Sequence, residues 1–583
     1  MRPVRKWVNH HIPGKDLVNN NMKKFSIVVM TVFVLAVVAS GAWAISIEVN
    51  KSGTYKTIQA AIDKCQEAND GADVVTITDS AVYEEPFWVG DVDVNLPPVT
   101  VTSNKTGDAR PIISPIQALG PFIETQRKDR YAGVAVTSNE SVLSNLIIEC
   151  NPDVGSSNGS SAVHLEANGA VIENCVIRPR AGTAGLSKNP HSGIFLSQYG
   201  ADAIPVPGER MCDNVIIRNC DFWGVATDGQ TEPTNESPSG WLIAPDNSQF
   251  ATFLRCDAYT NAPDMTIDVL IDNCTFQYIY DAGLFPSNRG SNGQGAITWT
   301  LRDCSFDAFG KFCVRGRGAN IIAERCVFSR SNSQRNGDGE NSAVAVQTES
   351  ANSPFAEVTN CLFVNCGSVF AQKGYYGGVN NHNASFINVN HCTFDLCNSG
   401  VTVGTGPGRL TVSNSIFNRI GYNRAPAVWY EGLPPENNDP YVTWDSPNFS
   451  PMITAVFNDY SCVAGTTAQK IIVNNCLVND VADEQTDWQN ANPANPLGTF
   501  LAYGNVEGLD TIIRADPAFA NDDMHGPNPY QLTAGSPAVD AGVDALPVIG
   551  DLDFDGTPRV VGGKADLGCQ ELPGASVRDW SIF

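Results

Sequence analysis

Val269-Leu270-Ile271-Asp272-Asn273-Cys274-Thr275-Phe276 is an apolar strand that runs into Asn-Cys-x-Phe, and the phrase returns throughout the 583-residue chain. Further copies occupy Ala170–Ile177, Val215–Phe222, Trp299–Phe306, Ile321–Phe328, Ala356–Phe363, Ile387–Phe394, Leu410–Phe417 and Ile471–Val478. Aligned on the Cys (Ser415 in one copy), positions −5, −3 and +2 are apolar almost everywhere, and the residues between them are mostly polar. Positions −5 and −3 share the two-residue period of a strand with one face buried. Positions 0 and +2 have the opposite parity, so the chain must bend between −3 and 0. Position −1 is Asn in most copies, and Asn enters the left-handed backbone region at lower cost than most residues. The unit is therefore strand, corner, strand, with both strands facing one interior. Intervals between copies run from 22 to 61 residues, the shortest matching one coil and the longer ones carrying insertions. Repetition of this kind predicts a solenoid that stacks Cys on Cys and Phe on Phe. The stretch around Arg255-Cys256 reads as a degenerate coil without the Phe.

Short strands joined by corners, with no helix in each repeat, predict a parallel β-helix. The Asn-Cys-x-Phe phrases resemble those of the right-handed parallel β-helix, or pectin-lyase-like, superfamily, over roughly residues 45–572. The expected fold is all-β, a solenoid of ten or more coils with an N-terminal capping helix and a C-terminal cap. Ser52-Gly53-Thr54-Tyr55 followed by Ile58, Ala61, Ile62 and Cys65 at helical spacing predicts that helix. This opening is similar to that of many β-helix proteins, pectin methylesterases included, but the esterase phrases Gln-Asp-Thr-Leu and Asp-Phe-Ile-Phe-Gly are absent.

Residues 1–44 read as a leader. Met22-Lys23-Lys24 precedes an apolar run, Phe25–Val38, and Ala42-Trp43-Ala44 supplies small residues for cleavage. The run is short for a spanning helix, so the expected product is secreted, extracellular or cell-surface (or periplasmic), without membrane insertion. Residues 45–504 form the helix body, 505–572 its C-terminal end and cap, and 573–583 a tail. Leu532–Gly542 and Ala565–Glu571 resemble a terminal segment of secreted bacterial β-helix proteins.

The net charge is −25. Since the leader is basic, the remainder is still more acidic. Such a surface argues against nucleic acid or an anionic membrane as partner. The cysteines number 17. Their shared inward column predicts small-hydrophobe packing rather than a disulfide or zinc framework, and no cysteine is assigned as a metal ligand. Asp551-x-Asp553-x-Asp555-Gly556 lacks the twelfth-position Glu of an EF-hand and reads as hydrogen bonding within the cap, with Arg559 as a candidate partner.

The resemblance places enzyme chemistry in an external groove along the strand preceding each next coil: Ile194–Ser197, Leu284-Phe285, Cys313–Arg315, Phe370–Gln372 and Val401–Val403. A polysaccharide lyase of this kind needs a base and a cation such as calcium to acidify the proton removed. Lys373 or Arg315 is the candidate base and Asp281 a calcium ligand, with His191 a further catalytic candidate. Arg317 and the aromatic residues Trp429, Tyr430 and Trp444 of the insertion 419–461 are candidate substrate contacts, since flat sugar faces suit aromatic rings. The pectate-lyase phrase Arg-x-Pro-x-x-Arg and the polygalacturonase phrases Asn-Thr-Asp, Gly-His-Gly and Arg-Ile-Lys are missing. The expectation is a carbohydrate-interacting protein with a polysaccharide or cell-surface glycan as partner. If it is an enzyme, a lyase is favoured over a hydrolase. The alternative is a non-catalytic, adhesin-like surface or matrix protein.

Overall fold

A computed structural model describes residues 44–68, 72–90, 96–117, 119–122, 130–150, 160–180, 192–197, 212–224, 252–258, 266–279, 282–288, 296–309, 312–331, 342–347, 353–364, 366, 379–382, 385–397, 400–403, 408–420, 455–459, 470–481, 501–522, 524, 528–543, 552–560 and 564–572. The chain winds through three long parallel sheets as a right-handed parallel β-helix. Among the described residues sheet A has 14 strands, from Ser46–Val49 to Val506–Glu507, and sheet B has 13, from Val82–Tyr83 to Ile513–Arg514. Sheet C also has 13, running from Phe87–Val89 to Ala502–Tyr503, with Leu119–Phe122 pairing off the main path.

One coil shows the plan. Thr266–Asp272 lies in sheet A, Thr275–Ile279 in sheet B and Ala282–Asn288 in sheet C, and Ala296–Arg302 then opens the next coil in sheet A. Stacking is in register: Val269 pairs with Trp299 and Ile271 with Leu301, while Phe276 pairs with Phe306 across sheet B. Neighbouring coils therefore place identical columns above one another.

The corner is the predicted one. Asn174, Asn219, Asn273, Asn360, Asn414 and Asn475 all have φ between 50° and 56°. The copies without Asn bend in the same way, since Asp303, Arg325 and His391 have φ of 54°, 52° and 49°. The left-handed turn aims each corner N–H at the next coil: Asn219 N donates to Asp272 O at 3.0 Å and Asn273 N to Arg302 O at 2.8 Å. Amides add a side-chain ladder, with Asn273 Nδ2 donating to Asn219 Oδ1 at 2.9 Å. Where Asp303 and Arg325 occupy successive corners, Arg325 Nε and Nη2 donate to the two Asp303 oxygens at 2.7 and 2.9 Å. A bidentate ion pair thus replaces the amide ladder.

The interior is one continuous cluster running the length of the solenoid. Phe276, Phe306, Phe328, Phe363, Phe394 and Phe417 form a column with ring centroids 4.6–4.9 Å apart and planes within 10° of parallel. The in-register strand spacing sets that distance. Beside it stands the Cys column. All sixteen described cysteines are buried. Cys274 Sγ lies 3.4 Å from Asp272 O and 3.6 Å from Ile217 O, within reach of a weak thiol donor. Cys366 and Cys397 form a second interior column.

Helix Ile58–Ala68 buries Ile58, Ala61, Ile62 and Cys65 against the first coils and extends the core. At the other end, Val506–Glu507 and Ile513–Arg514 complete the last rungs of sheets A and B. The chain beyond them runs back along the outside of sheet B. There Leu532, Ala538 and Leu567 cover Ile416 and Leu477, and Tyr530 and Cys569 cover Leu362 and Val364. Gly568 N donates to Asn414 O at 2.9 Å, and Asn475 Nδ2 donates to Ala541 O at 2.5 Å. The segment expected to cap the end is thus a strap along the flank. It lies there because these outward positions of sheet B are apolar and need a cover.

Candidate functional site

Sheet C is the sheet whose strands precede each next coil, so its outer face is the expected groove. Ile194, Leu284, Val314 and Val401 point into the core, and the alternate residues point out. Register aligns one outward row along the axis: Ala135, His164, Phe195, Arg255 and Phe285 are successive Cα partners, and Arg315 pairs with Ala345 further along. One expectation is corrected here. Arg255-Cys256 belongs to the sheet C strand Thr252–Ala258 and is not a coil of its own. The rung between Val344 and Val401 is Val379–His382, and Phe370–Gln372 lies outside the described residues.

At the centre of the row, three guanidinium groups surround one ring. Arg255, Arg315 and Arg317 place their Cζ atoms 5.4, 5.5 and 5.9 Å from the Phe285 centroid, and Arg315 is also 4.9 Å from the Phe312 centroid. Each such contact is worth about 0.5–1 kcal/mol at a half-exposed site. Arg315 Nε and Nη2 both donate to Gln347 Oε1, at 3.1 and 2.9 Å. Phe312, Ala282 and Ala345 form a small apolar patch with Phe285, separate from the main core. Packing and the Gln347 amide contribute to holding the cluster.

Towards the N-terminal end of the row, His164 stacks on Phe195 with centroids 6.0 Å apart and planes at 15°. His164 Nε2 lies 2.9 Å from Glu166 Oε1, and both side chains are buried.

Of the residues singled out from sequence, Arg315 and Arg317 stand together on this face. Lys373, Asp281, His191, Trp429, Tyr430 and Trp444 lie outside the described residues. Arg255 and Phe285 were not chosen as site residues. The signal that points to them is the equal spacing of positions 255, 285 and 315 in sheet C.

The acidic phrase near the C-terminus is structural. Asp553 Oδ1 accepts the N–H groups of Asp555 and Thr557 at 3.0 and 2.6 Å, and Oδ2 accepts Glu571 N at 2.7 Å. Arg559 pairs with Glu571 at 3.0 Å and donates to Asn360 Oδ1 at 2.6 Å, rather than to Asp553 or Asp555, while Asp551 lies outside the described residues. Burial pushes the Glu571 carboxyl up to about 8, with the Arg559 charge opposing the shift. Among the described residues no group of three His, Cys, Asp or Glu side chains is arranged to hold a metal ion. No described helix is long and apolar enough to cross a membrane.

No family model matches the chain, and no curated protein matches it. Among solved structures it is similar to pectate lyase Pel9A, at 10% identity and a TM-score of 0.37, covering 92% of this chain and 98% of that one. The polysaccharide lyase Pedsa3628 of Pseudopedobacter saltans, from family PL6, aligns at 9% identity and a TM-score of 0.36, over 86% and 100% of the two chains. The tailspike gp49 of the Acinetobacter baumannii bacteriophage Fri1, a capsular polysaccharide depolymerase, aligns at 12% identity and 0.30, over 80% and 62%.

Proposed function

We propose that the chain is a secreted, carbohydrate-interacting β-helix protein that contacts an acidic polysaccharide along the outer face of sheet C. The observation that carries this reading is the convergence of Arg255, Arg315 and Arg317 on Phe285, in a protein whose net charge is −25. A ring face suits the apolar side of a sugar, and planar guanidinium groups match carboxylates in two-point contacts. Local cation clustering overcomes the repulsion that the overall charge imposes on an anionic chain.

The arrangement favours a binding role for Arg315 over a role as base. Its guanidinium is always charged and is occupied by Gln347 Oε1 and two rings. In a lyase built on this face, the proton beside the carboxylate would go to another group, for which Lys373 remains the candidate, with Asp281 holding calcium and His191 a further catalytic candidate. Trp429, Tyr430 and Trp444 would extend the sugar contacts. Residues 1–44 serve in this reading as a cleaved leader.

Incubation of the protein with a panel of acidic polysaccharides, with and without calcium, tests the enzymatic part. A lyase yields unsaturated uronate products that absorb in the ultraviolet. Binding without any such product supports the non-catalytic, adhesin-like form. Absence of both product and binding across the panel removes the carbohydrate reading.

A further inference from the structure

Sheet A carries an apolar row on its outer face. Val142, Val171, Ile216, Leu270, Thr300 and Ile322 are successive Cα partners over six rungs, and all six are half-buried. The row ends at Thr100 on one side and at Glu357 on the other. On sheet B the outward residues Leu362, Ile416 and Leu477 are at most 1% exposed, because the strap covers them. The row on sheet A keeps part of its apolar surface in water, and a partner that covered it would remove that cost.

Two residues further along each strand runs a charged row. Glu173, Arg218, Asp272, Arg302 and Glu324 follow one another in register, so the sign alternates from rung to rung. Arg218 pairs with Glu173 at 2.6 Å and Arg302 with Asp272 at 2.7 Å, and the two arginine side chains remain 48% and 40% exposed.

These two rows together complement themselves. A two-fold axis along the strands, passing between the rungs of Ile216 and Leu270, sets a second copy face to face with the first and reverses the order of its rungs. Ile216 then meets Leu270 of the other copy, Val171 meets Thr300, and Val142 meets Ile322, so the apolar row covers itself from end to end. In the charged row Arg218 meets Asp272 and Glu173 meets Arg302. An axis through either central rung would set like charges opposite one another. An axis one rung further along would lay Val171 on Glu357. We propose that this face of sheet A is an isologous interface through which the chain pairs with a second copy of itself, the two solenoids antiparallel. Five steps of about 4.8 Å, and strands about five residues wide, give a footprint of roughly 24 by 16 Å. That lies at the low end for specific interfaces, so the dimer is a weak one that forms as concentration rises. The opposed charges fix its register and orientation more than its affinity. The interface leaves the outer face of sheet C uncovered and does not rest on the carbohydrate reading.

Sedimentation velocity of the full chain over a hundredfold range of concentration tests the pairing. Wild type is expected to pass from monomer to dimer as concentration rises. Leu270→Asp places an acid at the centre of the apolar row, and Arg218→Glu sets an acid against Asp272 of the other copy. Each is expected to weaken association at least tenfold. Arg218→Glu/Asp272→Arg restores opposite signs across the axis and is expected to regain dimerisation. Thermal melting checks that each variant is folded, and the charge reversal with its rescue keeps the test decisive should Leu270→Asp unfold. Wild type that stays monomeric throughout overturns the proposal and leaves the row to a partner of another kind. A folded Leu270→Asp that dimerises as wild type does also overturns it, since the contact then lies elsewhere. A folded double variant that stays monomeric overturns the antiparallel register.

Discussion

Asn414→Ala separates the two things a corner residue does. Asn414 is fully buried with φ of 50°. Its Nδ2 donates to Asn390 Oδ1 at 3.1 Å, and its Oδ1 accepts from Val543 N at 3.1 Å and Asn475 Nδ2 at 3.4 Å. Alanine retains the backbone problem and removes all three bonds. Holding a residue with a β-carbon in the left-handed region costs about 1–2 kcal/mol, and stranding buried partners costs about 1–3 kcal/mol more. The expected loss is therefore about 2–5 kcal/mol. Asn273→Ala is the comparison. It has the same φ of 50° but an exposed side chain with one ladder bond, to Asn219, so about 1–3 kcal/mol is expected. Asn414→Gly tolerates the backbone and loses only the side-chain bonds. Because a solenoid need not unfold in one step, native-state hydrogen exchange at the neighbouring corner amides, His391 and Asn475, is the suitable assay. Equal losses at Asn414 and Asn273, or Asn414→Gly as damaging as Asn414→Ala, would refute the division into backbone and side-chain parts.

Three other outcomes follow from the same columns. Phe306→Ala leaves a gap between Phe276 and Phe328 and is expected to cost about 3–5 kcal/mol, against under about 1.5 kcal/mol for Phe306→Leu; urea denaturation measures both. Burial pushes the Cys476 and Cys569 thiols up to about 12 and the Cys212 thiol higher still, so a thiol-reactive dye should leave these three cysteines unlabelled until the chain unfolds; mass spectrometry of labelled peptides checks this. Burial and the Arg559 charge hold His391 well below its ordinary 6.5. A group whose folded value is depressed contributes stability above the unfolded value and loses it as pH falls through 6.5 towards the folded value. His391→Asn, which keeps a residue suited to a left-handed corner, should therefore flatten the acid side of the melting-temperature profile; an unchanged profile would contradict this.

Most of the scaffold was legible because a strand with one buried face writes its parity into the sequence. The Cys and Phe columns and the Asn corners were found that way. Corners at Asp303, Arg325 and His391 show that the backbone repeats more faithfully than the residue filling it, since an ion pair or a buried ring can stabilise the same turn. A copy at Val142–Ile148 escaped notice because Leu146 stands where Cys is usual, although Asn145 has φ of 56°. The strap's position was not legible. It depends on which outward residues of sheet B are apolar, and Leu362, Ile416 and Leu477 look like ordinary strand residues in sequence. The Arg255 and Phe285 partnership was hidden for a related reason: it joins residues on successive coils, and only the register of sheet C brings them together.

The central claim is that the repeated phrase holds the coils while the sheet C arginines meet the carbohydrate. The most direct measurement is the affinity of an acidic polysaccharide for Arg255→Gln/Arg315→Gln beside Cys274→Val. Charge-assisted contacts are worth about 1.5–3 kcal/mol each, so the double variant should bind at least tenfold more weakly while remaining folded, and Cys274→Val should bind normally. Unchanged affinity in the double variant, or affinity lost in a folded Cys274→Val, would contradict the account.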